Sequence, residues 1–269
     1  MQLDELRKII DQIDEKIVQL LNERCKIAGK VGVWKIENGH PIFVPEREKL
    51  LFKKLQKLNP GPLSADSLTN IYREIISGAI AVEKPLKIGY CLNNTPDLLR
   101  HPARLTFGDS AEYILFDSVQ LLFSALENGD CNYCAVPFYD GKNAFDTETI
   151  DALLKTDMNI IAKRISPSNG SSSLIIGAQS PINTGDDRTA LRVEIKNDNN
   201  TLEMILDIFR KKDIKLVCCE LRISQNDSDN NMVFIEVEGH PTEASIKSAI
   251  YAVEKSAITT QILGGYPLL

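Results

Sequence analysis

The 269 residues are 43% apolar and 25% charged, with a formal net charge of −6 and an isoelectric point near 5.3, the composition of a soluble globular protein of two or three domains. The negative balance offers no field to recruit nucleic acid or an anionic membrane surface. No apolar run is long enough to span a bilayer and the opening MQLDELRKII lacks a signal-peptide h-region, so the expected location is the cytoplasm.

Leu6, Ile9, Ile13, Ile17, Leu20, Ile27 and Val31 recur at helical spacing and predict one helix from Leu3 to about Asn38. Such a helix is roughly 50 Å long. Short partners in the same chain cannot cover its apolar stripe, so a second copy is expected to. Arg24 and Lys35 lie eleven residues apart, which at about 100° per residue returns to nearly the same face. Ala28 and Val31 fill the turns between them, giving a small apolar-floored groove with a cation at each end. Arg7, seventeen residues before Arg24, faces roughly 100° away and joins that groove only if it comes from another chain. The pattern predicts a dimer with shared sites for a small, doubly anionic ligand. Gly29 and Gly32 weaken the helix locally and are expected to admit a close neighbour or the ligand.

Gly39-His40-Pro41 ends this helix. Pro45 suits the first turn of a second helix reaching Leu58, and Asn59-Pro60-Gly61-Pro62 is a loop. Ser64 caps a third helix that Lys84-Pro85 stops after Glu83, so residues 1–84 read as an all-helical domain. From Leu86 the chain alternates. LKIGYCL, CNYCAVPF, MNIIAKRI and SSSLIIGA read as strands, and DSVQLLFSALENG and TETIDALLKT as helices, giving a single α/β lobe over 86–177. Gln179–Asp187 is a linker, and residues 188–269 follow the ferredoxin-like order βαββαβ. The six cysteines do not form a secreted disulfide framework. Cys131-Asn-Tyr-Cys134 could be a redox pair or half a zinc site. It runs into an apolar strand without a second pair, so reduced structural thiols are expected there and at Cys218-Cys219. His40, His101 and His240 show no metal-ligand spacing and read as surface or structural.

Arg47-Glu48 opens the second helix and Glu83 closes the third. These are solvated surface charges or the rest of a shared anion site. Leu6-Arg7, Ile13-Asp14-Glu15, Leu20-Leu21-Asn22-Glu23-Arg24, Val31, Lys35 and Pro45-Glu46-Arg47-Glu48 resemble the all-helical chorismate mutases. The likeness is greatest to the mutase domain that heads bacterial bifunctional chorismate mutase/prephenate dehydratases, and VPEREKLLFKKLQKLNPGPL and IYREIISGAIAVEKPLKIGY extend it through residue 90. The resemblance implies an intertwined homodimer that rearranges chorismate to prephenate in aromatic amino-acid biosynthesis, with no cofactor, nucleophile or metal. Arg7 of the partner chain and Arg24 would hold the two carboxylates, since arginine offers a rigid two-toothed donor. Lys35 would donate to the ether oxygen, Glu48 would accept from the ring hydroxyl, and Arg47 would lie beside the carboxylate end. Glu83 could donate to the ether oxygen only when protonated, so the reaction is expected to weaken as pH rises through its pKa. Val44, where enteric relatives carry Asp, and Ala79, where some relatives carry Ser, complete the substrate-binding set.

Residues 86–177 resemble the first lobe of a prephenate dehydratase without its signatures. The glycine-rich first loop is replaced by Leu92-Asn93-Asn94-Thr95-Pro96-Asp97. The family's Glu-Asn-Ser gives way to Tyr139-Asp140-Gly141 after Phe138, and its Thr-Arg-Phe falls at Ser171-Ser172-Ser173. The second lobe that the family inserts between Ile165 and Ser171 is absent, so no dehydratase activity is expected. Residues 188–269 resemble the ACT domain that gives such enzymes feedback control by phenylalanine. Asn200-Thr201-Leu202 replaces the glycine-bearing effector loop, while Glu220 and Arg222 persist from its second motif, so effector binding is an open candidate. The expected protein is a chorismate mutase. The alternatives are a bifunctional mutase/dehydratase, or an amino-acid sensor with a decayed mutase.

Overall fold

The computed structural model describes residues 2–91, 96–141, 144–166, 169–223 and 230–269, with the side chains of 96–101 and 199 excepted. Helix α1 spans Leu3–Glu37. The Gln2 N–H donates to Glu5 Oε2 at 2.9 Å to cap it, and Gly39, at φ 66°, takes the left-handed conformation that lets the chain leave it. Helix α2 is Pro45–Leu58 and α3 is Ala65–Glu83, whose cap Ser64 Oγ accepts from Ser67 N at 3.1 Å. Helix α3 runs in the same sense as the second half of α1, with Arg24 beside Ile75 and Gly32 against Glu83. A Cβ on Gly32 would stand 2.7 Å from Glu83 Cα, so this glycine admits a neighbouring helix, as expected. Among the described residues the first half of α1 has no such neighbour, and its apolar side chains stand out to solvent. Leu3, Ile10, Val18 and Leu20 are 61%, 55%, 57% and 64% exposed.

The lobe is built from β1 (Lys87–Cys91), α4 (Pro96–Phe107), β2 (Glu112–Phe116), α5 (Val119–Glu127), β3 (Tyr133–Tyr139), α6 (Thr147–Leu153), β4 (Asn159–Ile165) and β5 (Ser172–Gly177). Its five-stranded sheet has the order β2-β1-β3-β5-β4. Strand β1 lies parallel to β2 and β3, and β5 lies antiparallel to β3 and β4. Helix α4 and strand β2 are corrections to the sequence reading, which ran from β1 through a loop straight to α5. Pro102 stands inside α4, where proline removes a backbone bond and ordinarily ends a helix. Residues 92–95 of the replaced loop lie outside the described residues.

The C-terminal unit consists of β6 (Asp187–Ile195), α7 (Asn199–Lys211), β7 (Leu216–Arg222), β8 (Asn231–Glu238), α8 (Ala244–Ser256) and β9 (Thr259–Pro267). This is the expected βαββαβ order, in an antiparallel sheet β7-β8-β6-β9. Ile205, Phe209, Ile246, Ile250 and Val253 of α7 and α8 cover one face. On the other face Ala190, Phe234, Leu263 and Tyr266 join the lobe's own core around Leu122, Val136, Phe138 and Leu174. Strands β4 and β9 meet so closely that a Cβ on Gly264 would lie 2.3 Å from the Ile160 carbonyl oxygen, and Leu269 N donates to Lys163 O at 2.8 Å.

Residues 179–187 are more than the linker their composition suggests. Gln179 Nε2 donates to Phe43 O at 2.9 Å, Ile182 N to Glu46 Oε1 at 3.3 Å, and Lys49 Nζ to Asp186 Oδ2 at 2.8 Å. The segment is a strap across the start of α2. Beneath it Phe43 is fully buried, 4.5 Å from the Phe107 ring and 5.6 Å from that of Tyr133. The helical unit is therefore docked on the lobe through an aromatic plug rather than hung from it by a tether.

Candidate active site

A cavity of about 540 Å³ opens where the second half of α1 faces α2 and α3. Its floor is apolar, with Ala28, Val31, Ile76 and Ala79, and charge is confined to its walls, where Arg24, Lys35, Arg47, Glu48 and Glu83 all reach it. Val44 lines the entrance to α2. The helical spacing thus brings Arg24, Ala28, Val31 and Lys35 to one pocket, and the positions chosen on the other two helices meet them there.

Lys35 is the most constrained of these groups. Its Nζ donates to Glu83 Oε2 at 2.7 Å and to the Ile42 carbonyl at 2.8 Å, and only 11% of its side chain is exposed. An ammonium carries three donors, so one remains for a ligand. Arg24 is steadied by one hydrogen bond, Nη1 to the Ile75 carbonyl at 3.2 Å, and Arg47 is exposed. Burial pushes the Glu48 carboxyl up to about 8, against the pull of Arg164, Arg73 and Lys35 in that order. The first two of these cations escaped the sequence reading. Arg164 sits on β4 of the lobe and Arg73 in the middle of α3. Neither lies in a local pattern that marks it.

Arg7 does not reach the pocket of its own chain. It is exposed, 3.5 Å from Asp4, and seventeen residues along the helix put it roughly 25 Å from Arg24. In the C-terminal unit, Asn200 and Thr201 open α7, where their backbone amides donate to the Asp198 carboxylate at 3.0 and 2.7 Å. Leu202 packs on that unit's core. Arg222 binds Glu220 Oε2 at 3.2 Å and Asp151 Oδ1 on α6 at 2.6 Å. Among the described residues no hydrogen bond links Glu220 or Arg222 to Asn200–Leu202. His40 stacks on Trp34 at the surface, and His240 is buried with Nδ1 2.8 Å from Thr242 Oγ1, whereas the side chain of His101 lies outside the described residues. Cys131 and Cys134 are buried, and burial raises the Cys131 thiol to about 11 and Cys134 well above its ordinary value. Thiols held so far from ionisation are poor nucleophiles, and among the described residues no group of three or more candidate metal ligands forms around them.

Residues 6–84 match the family model of chorismate mutase type II, so the helical unit is a chorismate mutase domain and the protein an enzyme of the isomerase class. The whole chain is related to bifunctional chorismate mutase/prephenate dehydratases. The one from Aquifex aeolicus is 26% identical over 355 positions, covering 99% of this chain and 98% of its relative. An alignment that long cannot be filled by 269 residues, so a long internal stretch of the relative has no counterpart here. Among solved structures, a prephenate dehydratase from Streptococcus mutans superposes with a TM-score of 0.57 at 20% identity, over 68% of this chain and 98% of that one. A prephenate dehydratase from Arthrobacter aurescens in complex with L-Phe gives 0.58 at 14%, over 68% and 90%. At these identities the two structures speak for the fold alone. Among the described residues no helix is long and apolar enough to cross a membrane.

Proposed function

We propose that this protein converts chorismate to prephenate in the phenylalanine/tyrosine branch of aromatic amino-acid biosynthesis, as a cytoplasmic homodimer whose sites are shared between protomers. The observation that carries this reading is the convergence of Arg24, Lys35, Arg47, Glu48 and Glu83 on one cavity within the matched domain. The reaction rearranges a single molecule, so the pocket need only hold the folded conformer and stabilise charge as it separates. Arg24 and the partner chain's copy of Arg7 hold the two carboxylates. Lys35 directs its remaining donor at the ether oxygen, with Glu83 beside it, and Glu48 accepts from the ring hydroxyl. Because Lys35 is already fixed by Glu83 and Ile42, it needs little reorganisation as the C–O bond breaks. The uncovered apolar half of α1 supports the dimer, since exposed stripes of this kind mark protein contacts.

Three domains are assigned: 1–84 to the mutase, 86–177 to a dehydratase-like lobe without dehydratase activity, and 188–269 to an ACT-like domain. The single sheet of the lobe and the unmatched stretch of the relatives support the second assignment, because a cleft between two lobes needs both. The βαββαβ order supports the third. An amino-acid effector is the candidate ligand there, near Asn200–Leu202 or Glu220 and Arg222.

The test is to incubate the purified chain with chorismate and follow loss of its ultraviolet absorbance together with prephenate and phenylpyruvate. Prephenate alone is the expected product. Phenylpyruvate would establish a bifunctional enzyme, and no turnover would leave a non-enzymatic sensor.

A further inference from the structure

A second cavity, of about 400 Å³, lies behind the Lys35 end of the mutase pocket, where the turn after α1 and the end of α3 meet the lobe. Pro41, Ile42, Leu86 and the buried Tyr133 ring give it apolar walls. Its lining reaches no further along the chain than Gln179, so the C-terminal unit takes no part in it. Concave spaces of this size between domains are where small ligands ordinarily bind.

The polar groups of this cavity are of one kind. No carboxylate lines it. Lys84 does, and among the described residues its ammonium has neither an ion pair nor a hydrogen bond. Asn132 Oδ1 accepts from Lys87 N at 2.8 Å, which leaves both donors of its amide nitrogen unspent. The His40 ring, stacked on Trp34 with centroids 5.0 Å apart, carries at least one N–H whichever tautomer it adopts. A positive charge and spare donors over apolar walls complement a carboxylate on an apolar body.

Three of the lining residues are tied directly to the Lys35–Glu83 pair. His40 N donates to Lys35 O at 2.8 Å, and Ile42 O accepts from Lys35 Nζ at 2.8 Å. Lys84 follows Glu83, whose Oε2 takes the other Lys35 bond at 2.7 Å. Ile42 lines both cavities. We propose that this second cavity binds a small carboxylate with an apolar body, and that its occupancy alters chorismate turnover through Lys35. A ligand that draws Lys84 and packs on Ile42 acts on both acceptors that fix Lys35. Arg24 is bonded instead to Ile75 O, so the effect falls on kcat more than on KM. The control of turnover rests on the mutase reading, whereas the binding does not.

Calorimetric titration of the full chain with hydrocinnamate and with its neutral amide tests the site. The acid should bind with a Kd of about 1 mM or below, and the amide more weakly. Lys84→Met should weaken the acid by about fivefold, the scale of a partly exposed charge pair, and leave the amide unchanged. Ala178→Trp, which fills the cavity from its rim, should abolish binding of both. Arg24→Ala should leave the acid's affinity as it was, because it removes a carboxylate partner from the mutase pocket alone. No binding at about 10 mM acid, or binding that Arg24→Ala removes and Lys84→Met spares, would overturn the site. With the acid saturating, kcat for chorismate should change by at least about twofold at nearly constant KM, and Ala178→Trp should be insensitive to it. Simple competition with chorismate, or an unchanged kcat, would overturn the link to Lys35. If the unaltered protein leaves chorismate intact, the mutase reading fails, while the titrations still decide the site.

Discussion

Lys35 and Glu83 meet at 2.7 Å where α1 crosses α3, and Lys163 and Glu236 meet at the same distance where the lobe joins the C-terminal sheet. Both pairs are shielded, and both lysines border a cavity. They differ in what remains unspent. Lys163 donates to both oxygens of Glu236 and sits 4.6 Å over the Phe138 ring, while Tyr266 Oη donates to Glu236 at 2.8 Å. Two of the three ammonium donors go to Glu236 and the third side faces the Phe138 ring, so this lysine keeps no donor for a ligand. Lys35 has two partners and a third donor free, with Arg24, Arg47 and Glu48 around the same space. The comparison teaches that a buried ion pair identifies a site only when some of its hydrogen-bonding capacity is left over.

Substitution should separate the two pairs. Arg24→Ala and Lys35→Ala should each lower chorismate turnover by about 100- to 1000-fold, the scale for loss of one preorganised donor. Arg24→Ala should melt close to the unaltered chain, whereas Lys35→Ala should also lose stability because it leaves Glu83 buried without its partner. Glu236→Gln should cost stability alone. Breaking a buried pair on one side costs about 3–5 kcal/mol, so the midpoint in urea should drop while turnover per folded molecule stays within about twofold. If Glu236→Gln were inactive yet stable, the seam would be a second functional site and the contrast would collapse.

A smaller effect probes the bare half of α1. Chains carrying Arg7→Ala and chains carrying Arg24→Ala should both be inactive alone. After unfolding and refolding together they should regain about a quarter of normal turnover, because half the dimers are mixed and each mixed dimer has one intact site. No recovery would place Arg7 outside the pocket of either chain. The finest probe concerns Glu83. Glu83→Gln keeps the size of the side chain but removes the charge that holds Lys35 Nζ at 2.7 Å, so it should lower turnover by less than Lys35→Ala does. Unchanged turnover would take Glu83 out of the ether-oxygen end of the pocket.

Most of the helical unit was legible because its signals are local. Periodicity placed α1, Pro45 and Ser64 marked the starts of α2 and α3, and simple rotation put Arg24 and Lys35 on one face. The alternation after Leu86 gave the lobe and the βαββαβ order of the C-terminal unit with ends within a few residues. What escaped was non-local or self-contradictory. Pro102 disguised α4, and with it the short edge strand β2 that follows. Arg164 reads as one more alternating charge in NIIAKRI, and nothing near it in sequence shows that it binds Thr106 at the end of α4. The strap over residues 179–187 has the polar, proline-bearing composition of a loop. Only its contacts with Phe43, Glu46 and Lys49 show that it clamps a helix.

That clamp bears on the timing of folding. Gln179 reaches Phe43 across 136 positions of chain, and Asp186 reaches Lys49 across 137. Domains made first on the ribosome ordinarily settle while the rest is still being synthesised. Here the helical unit is made first, yet its second helix waits for partners encoded more than half a chain later. Contacts so distant in sequence form late and slowly, so the pocket takes its final shape only after the lobe and the strap that follows it have been made.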